Sequence, residues 1–489
     1  MSYSLPWRSS LARSMPRARV RAWLLVAIGV LTVIHVSVLA YHLGSIVRFP
    51  YDLDYGEGYV LNDALRLSRG EPIYVDLQQF PMVRSPYPPV FPLIWSGLIG
   101  FAGPAFWPGR AMSIVALVGL CLLLARNAAR VRAGAWPVVI APAILAASPF
   151  VYEWAGYARV DMLALLLAAA GVYAAQWLGG WRGVFVAALL CGLAIWTKQT
   201  TLTAAVAVAI ALGLRSWRKG LAFVALVSVP SALAMLALQA TTGGEFGRHV
   251  LAGNASNPVS GLRSVYFVGA FVTLYVILLA ADLWWLSKAL RGAPSPIAVY
   301  LPIALLAAFS AGNAGSSVNY LIEPIVALCL ALPFAWRAAE RLSPVIAPFL
   351  AALQLALLVH WPNAVGTDYL TQWSLGRTPT AGDVAAGERL DALVRSTAGG
   401  VLAEPAGFAV RNGRAVAIQP LDLRGEELRG RWRSEPLVQA MSTGQFDLVI
   451  TAYDFLPTDA ERALRESFTL EDVVPSPVGL TFKVYRYRR

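Results

Sequence analysis

The chain has 489 residues, of which 57% are hydrophobic and only 14% are charged, and its mean hydropathy is +0.58. Soluble domains contain roughly 25% charged residues, so the composition excludes an ordinary soluble protein and indicates a polytopic membrane protein. The net charge of +12 is typical of basic cytoplasmic loops and does not favour nucleic acid as a partner. The three cysteines lie inside apolar runs, which excludes a disulfide framework or a cysteine zinc site.

The N-terminal part predicts a basic cytoplasmic arm, residues 1–21, that leads into a first membrane span. Five arginines and no acidic residue precede an apolar run at about 22–40. This run is longer than the apolar core of a signal peptide and lacks a small-residue cleavage site. We therefore expect a retained span with the N-terminus in the cytoplasm.

Further apolar segments predict a transmembrane domain over residues 22–361. They lie at about 106–125, 135–151, 162–178, 183–197, 200–214, 221–240, 264–286, 296–312, 318–335 and 344–361. Together with the first span, these segments make about eleven predicted spans. If the spans alternate in direction, every short loop on the same side of the membrane as the N-terminus is basic, and Glu340 is the only acidic residue in these loops. The positive-inside rule requires this pattern of cytoplasmic loops. The apolar stretch Val90–Phe101 is too short to span, so we expect an interfacial or re-entrant helix on the outer side.

The last part, residues 362–489, predicts a small extracytoplasmic α/β domain. Strands are predicted at Gly400–Ala403, Ala415–Gln419, Asp447–Thr451 and Thr481–Tyr487, and helices at Ala381–Ser396 and Thr458–Ser467. The pattern Thr458-Asp-Ala-Glu461 predicts a capping box at the second helix. The predicted fold class is therefore an α-helical polytopic membrane protein with about eleven transmembrane helices, a cytoplasmic N-terminus and this C-terminal domain.

The first outer loop, residues 41–89, carries two carboxylates in the segment Tyr51-Asp-Leu-Asp-Tyr-Gly-Glu-Gly-Tyr-Val60. Asp54 lies where a helix N-cap is expected, and Glu57 follows three residues later, so both can converge at the helix start. Such a pair can share a proton or a divalent cation, or leave one carboxylate as a base. The alternative is that Asp54 only caps the helix and Glu57 only completes a capping box.

Under the same orientation, three cations lie at the outer membrane boundary. Arg84 precedes the rigid run Tyr87–Pro92, Arg159 stands with Asp161 at the entrance of a span, and Lys198 lies in Trp196-Thr-Lys-Gln-Thr200. Cations at this boundary are suited to a phosphate group. The alternatives are contacts with lipid head groups, a structural Arg–Asp pair and simple snorkelling.

Two further clusters lie on the outer side. The loop at 241–250 contains His249, which is more often structural than catalytic in such a setting. Asn319, Tyr320 and Glu323 lie at the mouth of another span, and Glu323 is about one turn inside the hydrocarbon. An unpaired carboxylate is costly there, so we expect a partner or a water-filled cavity. Together these clusters predict an outward-facing site for an anionic, lipid-embedded substrate.

Four motifs carry a resemblance to a known family. The chain resembles the GT-C superfamily of polytopic glycosyltransferases, which includes protein O-mannosyltransferases and lipid A aminoarabinose transferases. The motifs are Asp54-Tyr-Gly-Glu57, Pro86-Tyr87-Pro88-Pro89, Trp196–Thr200 and Asn319-Tyr-Leu-Ile-Glu323. The resemblance covers about residues 20–360. One position departs from it: related enzymes often have lysine immediately before Pro-Pro, where this chain has Tyr87, so the cation is expected at Arg84.

The resemblance implies a sugar donor on a polyprenyl phosphate, an extracytoplasmic acceptor that is a lipid, glycan or protein, and a bacterial plasma membrane as the location. It implies that Asp54 is the base of an inverting displacement and that Glu57 positions the acceptor or helps to bind a divalent cation, Mg²⁺ or Mn²⁺. Arg84, Lys198 and Arg159 are implied to bind the leaving phosphate. The other residues expected to contact substrate are Tyr55, Tyr87, Asp161, Gln199, His249, Asn319, Tyr320 and Glu323.

Two other functions are weighed against this one. A transporter or lipid flippase usually has charged or broken helices near the membrane midplane, whereas here the polar residues gather at one surface. If the protein were a non-catalytic subunit of an envelope assembly, its outward-facing carboxylates would have no function. The sequence therefore favours a membrane glycosyltransferase.

Overall fold

A computed structural model of the chain describes residues 17–253, 260–292, 294–313, 315–360, 378–476 and 480–489. Most of the predicted basic arm, including Arg8 and Arg13, lies outside these residues, as does the predicted domain boundary after residue 361. The described part is mostly helical.

The first half of the helical region contains ten α-helices. They are α1 (Arg17–Arg48), α2 (Glu57–Ser68), α3 (Val90–Ala102), α4 (Trp107–Val131), α5 (Trp136–Ala146), α6 (Pro149–Trp154), α7 (Asp161–Trp177), α8 (Gly180–Thr197), α9 (Leu202–Arg215) and α10 (Trp217–Thr241). A short π-helix follows at Gly247–Ala252, and then come α11 (Gly261–Ala289), α12 (Pro296–Ala307), α13 (Ile322–Glu340) and α14 (Ile346–Leu357). Each predicted span coincides with one or more of these helices.

Six helical segments among the described residues are long and apolar enough to cross a membrane: α1, α4, α8, α10, α11 and Val318–Glu340, which contains α13. The other predicted spans coincide with shorter apolar helices. A span count of eleven stays a prediction. Helix α3 has 13 residues and is apolar, which is shorter than the roughly 20 residues that a straight span needs.

The predicted span at 135–151 consists of two helices rather than one. Ser148 adopts an extended backbone and its hydroxyl accepts a hydrogen bond from the Val151 N–H, while Pro149 occupies the first turn of α6. Serine at the N-cap followed by proline is a strong helix-start signal. The chain therefore ends α5 and restarts as α6.

Helix α13 is the centre of the bundle, and α10 lies at its edge. In the most apolar window of the Val318–Glu340 segment 89% of the residues are buried, compared with 6% for α10. Small residues allow the inner helices to approach closely: a Cβ built on Gly171 of α7 would lie 2.5 Å from the Cys191 sulfur of α8. Close helix contacts through small residues are typical of membrane proteins.

Two of the basic residues that were predicted to share one side, Arg21 and Arg337, lie at the same end of the bundle. Arg21 of α1 forms an ion pair with Glu340 of α13 at 2.9 Å, and Arg337 donates to the Val131 carbonyl at the end of α4. The loop at 49–89 lies at the opposite end. Which end faces the cytoplasm stays a prediction from the positive-inside rule.

The C-terminal region contains a four-stranded sheet with helices around it. Its elements are α15 (Ala381–Ser396), β1 (Gly400–Ala403), α16 (Ala406–Arg411), α17 (Pro420–Glu427), α18 (Glu435–Ser442), β2 (Phe446–Thr451), α19 (Thr458–Ser467), β3 (Phe468–Pro475) and β4 (Thr481–Tyr487). The strand order is β1-β2-β4-β3, with β1 and β2 parallel and the other neighbours antiparallel.

Most of the predicted C-terminal elements are confirmed, and two predictions are wrong. Residues 415–419 form no strand; instead, Ile418 makes an isolated bridge with Met82 of the first loop. Thr458 is not a helix cap, because α19 is preceded by Pro457 and no side-chain cap is formed. A capping box is present at Thr380 and Asp383, at the start of α15.

The C-terminal region packs on the first loop through several hydrogen bonds. The Met82 N–H donates to the Ala417 carbonyl and the Gln419 N–H donates to the Met82 carbonyl. The Tyr59 hydroxyl donates to the Glu404 carbonyl at 2.8 Å. These contacts place the C-terminal region over the end of the bundle where the predicted site residues lie.

Candidate active site

Asp54 lies in the turn before α2, two residues outside the position predicted for it. Gly56 is the N-cap of α2, and its N–H donates to Asp54 Oδ2 at 2.9 Å. Asp54 Oδ1 makes no hydrogen bond with the described residues. Burial raises the pKa of this carboxyl above its ordinary value, and the nearby Arg159 acts in the opposite direction. Asp54 is therefore a buried carboxylate with one oxygen held in place and one available.

Glu57 forms a fully buried ion pair with Arg110 of α4, at 2.7 Å. Its Oε1 accepts from Arg110 Nε and the Ala158 N–H, and its Oε2 accepts from Arg110 Nη2 and the Leu53 N–H. Arg110 also donates to three backbone carbonyls between α1 and the first loop: Ile46, Phe49 and Tyr51. This arrangement fixes the loop against two helices and orients the turn that carries Asp54.

Arg159 is the cation that reaches Asp54. One of its terminal nitrogens donates to Asp54 Oδ2 at 2.8 Å, and the other donates to the Tyr87 hydroxyl at 2.9 Å. The guanidinium also lies against the rings of Tyr87 and Trp154. Tyr87, which stands where the resemblance places a lysine, is thus hydrogen-bonded to a cation from another segment.

Gly56 makes this approach sterically feasible. A Cβ built on Gly56 would lie 1.1 Å from the Nη1 atom of Arg159. Nη1 is the end of a flexible side chain, so an added methyl group would move the guanidinium rather than the backbone.

We therefore expect Gly56→Ala to lower any activity that depends on Asp54 by about 10- to 100-fold, the loss associated with misplacing a catalytic group by about 1 Å, with little loss of thermal stability. Gly97→Ala is the matched control, since nothing lies within 4 Å of its added Cβ. Activity assays and thermal unfolding of both variants test this. Wild-type activity in Gly56→Ala would show that the position of Arg159 is unimportant.

The ion pair between Lys198 and Asp161 lies near the pair that Arg159 forms with Asp54. Lys198, at the end of α8, donates to Asp161 Oδ1 at 2.6 Å, and Asn319 donates to the same oxygen at 2.7 Å. The Lys198 ammonium lies 4.2 Å from the centre of the Tyr320 ring, a favourable cation–π distance. Gln199 donates to the Pro86 carbonyl, which ties this pair to the segment that carries Tyr87.

Glu323 has the partners that its position in the membrane requires. Its Oε1 accepts hydrogen bonds from the Tyr300 hydroxyl at 3.0 Å and from the Thr203 hydroxyl. A cavity of about 380 Å³ lies beside it, between α7, α9, α12 and the start of α13. Six predicted site residues line this cavity: Asp161, Lys198, Gln199, Asn319, Tyr320 and Glu323. Its size falls within the range of small-molecule sites.

Three predicted site residues, Arg84, His249 and Tyr55, lie where the outer loops meet the C-terminal region. Arg84 donates to the His249 carbonyl and forms an ion pair with Asp422 at 2.8 Å. The His249 ring accepts from the Ser85 N–H and hydrogen-bonds to the Val75 carbonyl. Burial lowers the pKa of His249 to about 4, so the ring is neutral at physiological pH.

Tyr55 also belongs to this boundary, because its hydroxyl accepts from the Leu421 N–H and its ring packs against Tyr453 and Phe455. Arg84 would have to leave Asp422 to bind a donor phosphate. The assignments of Arg84, His249 and Tyr55 to substrate stay predictions.

Asp52 is a buried carboxylate at the same boundary. Its oxygens lie so close to Gly407 of α16 that a Cβ built there would be 2.1 Å from Oδ2. Burial, together with the negative charge of Glu57, raises the pKa of Asp52 from 3.8 to about 7.

We expect this raised pKa to make the folded protein less stable as the pH rises from about 4 to about 7. The unfolded chain loses the Asp52 proton near pH 4 and the folded chain retains it until about pH 7, so the folded state binds more protons between them. Asp52→Asn should therefore have an unfolding free energy about 4 kcal/mol higher than that of the wild type at pH 8. The two proteins should have similar stability near pH 4. Parallel melting curves across this pH range would contradict the prediction.

Asp54 and Glu57 are the predicted ligands of a divalent cation. Among the described residues, no group of three or more His, Cys, Asp or Glu side chains is close enough to bind one. A cation bridging Asp54 and Glu57 would have to displace Arg110 from Glu57.

Three polar residues of the site were not singled out in the sequence: Arg110, Thr203 and Tyr300. Arg110 had a usable signal, since it is an arginine near the end of an apolar span, and such residues are costly unless paired. Thr203 and Tyr300 had none, because a hydroxyl inside an apolar helix is common.

No protein-family model and no curated protein sequence matches the chain. The fold, in contrast, is similar to that of solved membrane enzymes. ArnT from Cupriavidus metallidurans, in a crystal structure with undecaprenyl phosphate bound, matches with a TM-score of 0.57 and 12% identity over 95% of this chain and 98% of ArnT. The oligosaccharyltransferase of Archaeoglobus fulgidus matches with a TM-score of 0.51 and 13% identity over 91% of this chain and 73% of the enzyme.

Both similar structures are GT-C glycosyltransferases. The chain thus shares the fold of these two enzymes, and the resemblance inferred from its motifs is confirmed at the level of fold. Similarity of fold alone does not define the donor, the acceptor or the catalytic residues, which depend on the site itself.

Proposed function

We propose that the protein is a membrane glycosyltransferase that moves a sugar from a polyprenyl-phosphate donor to an extracytoplasmic acceptor. Asp54 acts as the base that takes the proton of the acceptor hydroxyl. The hydroxyl oxygen then attacks the anomeric carbon from the side opposite the phosphate, which inverts its configuration. The bond to the phosphate oxygen breaks, and polyprenyl phosphate leaves with the electron pair.

One observation carries this proposal: a buried carboxylate with an available oxygen and two cations lie in one hydrogen-bonded neighbourhood at the end of an apolar helical bundle. Asp54 is joined to Tyr87 through Arg159, and the Tyr87 segment is joined to the Lys198 segment through Gln199. A general base and cations for a leaving phosphate are the groups that this displacement needs. That ArnT binds undecaprenyl phosphate supports a lipid phosphate as the leaving group.

Lys198 and Arg159 are the cations that we assign to the leaving phosphate, and Arg84 is a third candidate. We assign substrate contacts to the cavity residues Asn319, Tyr320 and Glu323, and the Oε2 of Glu323 is the oxygen left for a sugar hydroxyl. Glu57 acts indirectly, by orienting the turn that carries Asp54. We also propose that the site faces the outside of a bacterial plasma membrane. Loss of activity in the presence of a chelator would show that the reaction needs a metal.

One observation favours the alternative of a transporter or flippase. Asp282 is fully buried within α11, and neither of its carboxylate oxygens has a hydrogen-bond partner among the described residues. It lines a small cavity of about 40 Å³ with Gln354 and Trp336. Buried intramembrane carboxylates are frequent in transport pathways.

The two functions are separated by reconstituting the protein in vesicles with a panel of polyprenyl-phosphate sugars and envelope extract as acceptor. A transferase consumes a donor and glycosylates an acceptor, whereas a flippase moves intact lipid between leaflets. Asp282→Asn and Asp54→Asn are compared in both assays. Lipid movement that depends on Asp282, with no donor consumed, would replace the proposed function with transport.

A further inference from the structure

The cations of the site are already paired with carboxylates. Arg159 pairs with Asp54 at 2.8 Å and Lys198 pairs with Asp161 at 2.6 Å, and all four side chains are largely buried. Two positive charges therefore face two negative charges, and no surplus positive charge is left for an incoming phosphate. An anion that binds here has to draw a cation away from a carboxylate.

The two pairs differ in how firmly they are held. Asp161 is the first residue of α7, where the helix dipole stabilises a negative charge, and Asn319 holds the same oxygen that Lys198 contacts. Arg159, in contrast, contacts Asp54 with one terminal nitrogen, and its Nε has no hydrogen-bond partner among the described residues. The guanidinium has more donors than its partners use, so it can turn to another acceptor.

We propose that Arg159 is shared between Asp54 and the donor's phosphate, so that the arrival of the phosphate draws the guanidinium away from Oδ2 and makes Asp54 a stronger base. This inference rests on the proposed function and adds a regulatory step to it. In the donor-free protein the ion pair holds Oδ2 and weakens the affinity of Asp54 for a proton, although Oδ1 is available. When donor is bound, Asp54 accepts the proton of the acceptor hydroxyl as the sugar–phosphate bond breaks.

The surroundings of Asp54 make this exchange effective. The charged and titratable groups with the strongest effects on it include Arg159, Glu57, Asp161 and Tyr453. Arg159 is the only cation among these four, so its departure leaves a buried carboxylate beside two others. Burial and like charges both raise a carboxyl pKa, and Asp54 then binds a proton more strongly.

The test is the affinity of the full-length protein for undecaprenyl phosphate, measured in lipid nanodiscs between pH 6 and pH 8.5. We expect Asp54→Asn to bind this lipid at least about fivefold more tightly than the wild type, within the usual range of coupling between sites, because Arg159 no longer has to leave a carboxylate. The lipid phosphate itself titrates near pH 6, so variants are compared at each pH.

A double-mutant cycle identifies Arg159 as the shared group. Arg159→Gln should weaken binding, and adding Asp54→Asn to it should give no further gain. Arg159→Lys, which retains a cation, should keep part of the gain, and Arg69→Gln is the exposed control. Equal or weaker binding by Asp54→Asn, or a gain that persists without Arg159, would refute the sharing while leaving the proposed function intact. No binding by the wild type would instead refute the proposed function itself.

Discussion

Arg110→Met is expected to destabilise the protein by about 3–5 kcal/mol, the usual cost of removing one partner of a buried ion pair, and to abolish sugar transfer. Arg110 and Glu57 are both fully buried, so the substitution leaves a carboxylate without its counterion in a low-dielectric environment. It also removes the donors to the carbonyls of Ile46, Phe49 and Tyr51. Unfolding of the detergent-solubilised protein, followed by thermal midpoint and protease sensitivity, measures the effect.

Arg126→Met is the matched control, because Arg126 is an exposed arginine on the same helix. Stability should recover in part when Arg110→Met is combined with Glu57→Gln, since the buried charge is then removed. The variant Arg110→Met with wild-type stability and activity would show that this ion pair does not orient the first loop.

Asp54→Asn is expected to lower the rate of sugar transfer by about 10²- to 10⁴-fold, the usual contribution of a general base. Asparagine keeps the size of the side chain and can still accept the Gly56 N–H hydrogen bond, but it cannot take the acceptor proton. The fold should therefore be preserved. Steady-state kinetics with a fixed donor and acceptor measure the loss.

Asp76→Asn is the control for this variant, because Asp76 is an exposed aspartate of the same loop. We expect Asp76→Asn to keep wild-type turnover. If Asp54→Asn keeps more than about a tenth of the wild-type rate while folding normally, another group must be the base.

The sequence predicted the location of the helices well because their signal is composition summed over many residues. An apolar run such as 221–240 is recognisable without knowledge of its neighbours, and α10 occupies Trp217–Thr241. Helix boundaries were predicted less accurately where a local helix-start signal interrupts an apolar run. Ser148 with Pro149 divides one predicted span into two helices, and α1 continues to Arg48, beyond the predicted end at residue 40.

The grouping of the site residues was predicted in part. Asp161, Lys198, Asn319 and Glu323 were placed at one membrane boundary because charged residues beside apolar runs are conspicuous, and the structure brings them to one cavity. Pairing was not predictable, since it depends on which helices meet. Arg84 pairs with Asp422, about 340 residues further along the chain, and no local pattern connects them.

The difference between Asp54 and Glu57 was likewise invisible in the sequence. Their spacing of three residues suggested carboxylates that converge. In the structure Glu57 turns inward to Arg110 and Asp54 turns to Arg159. What separates them is the position of one arginine on α4 and one in the turn before α7.

The most direct test of the central claim is a reaction of the purified protein in vesicles with envelope extract and a panel of sugar-labelled polyprenyl-phosphate donors, supplied one at a time. Both products are measured in the same sample, the labelled acceptor and the released polyprenyl phosphate. We predict that they form in equal amounts with the wild type and that neither forms at a comparable rate with Asp54→Asn. If no donor on the panel is consumed, or if donor is consumed equally by both proteins, the assignment of this chain as a glycosyltransferase with Asp54 as its base is wrong.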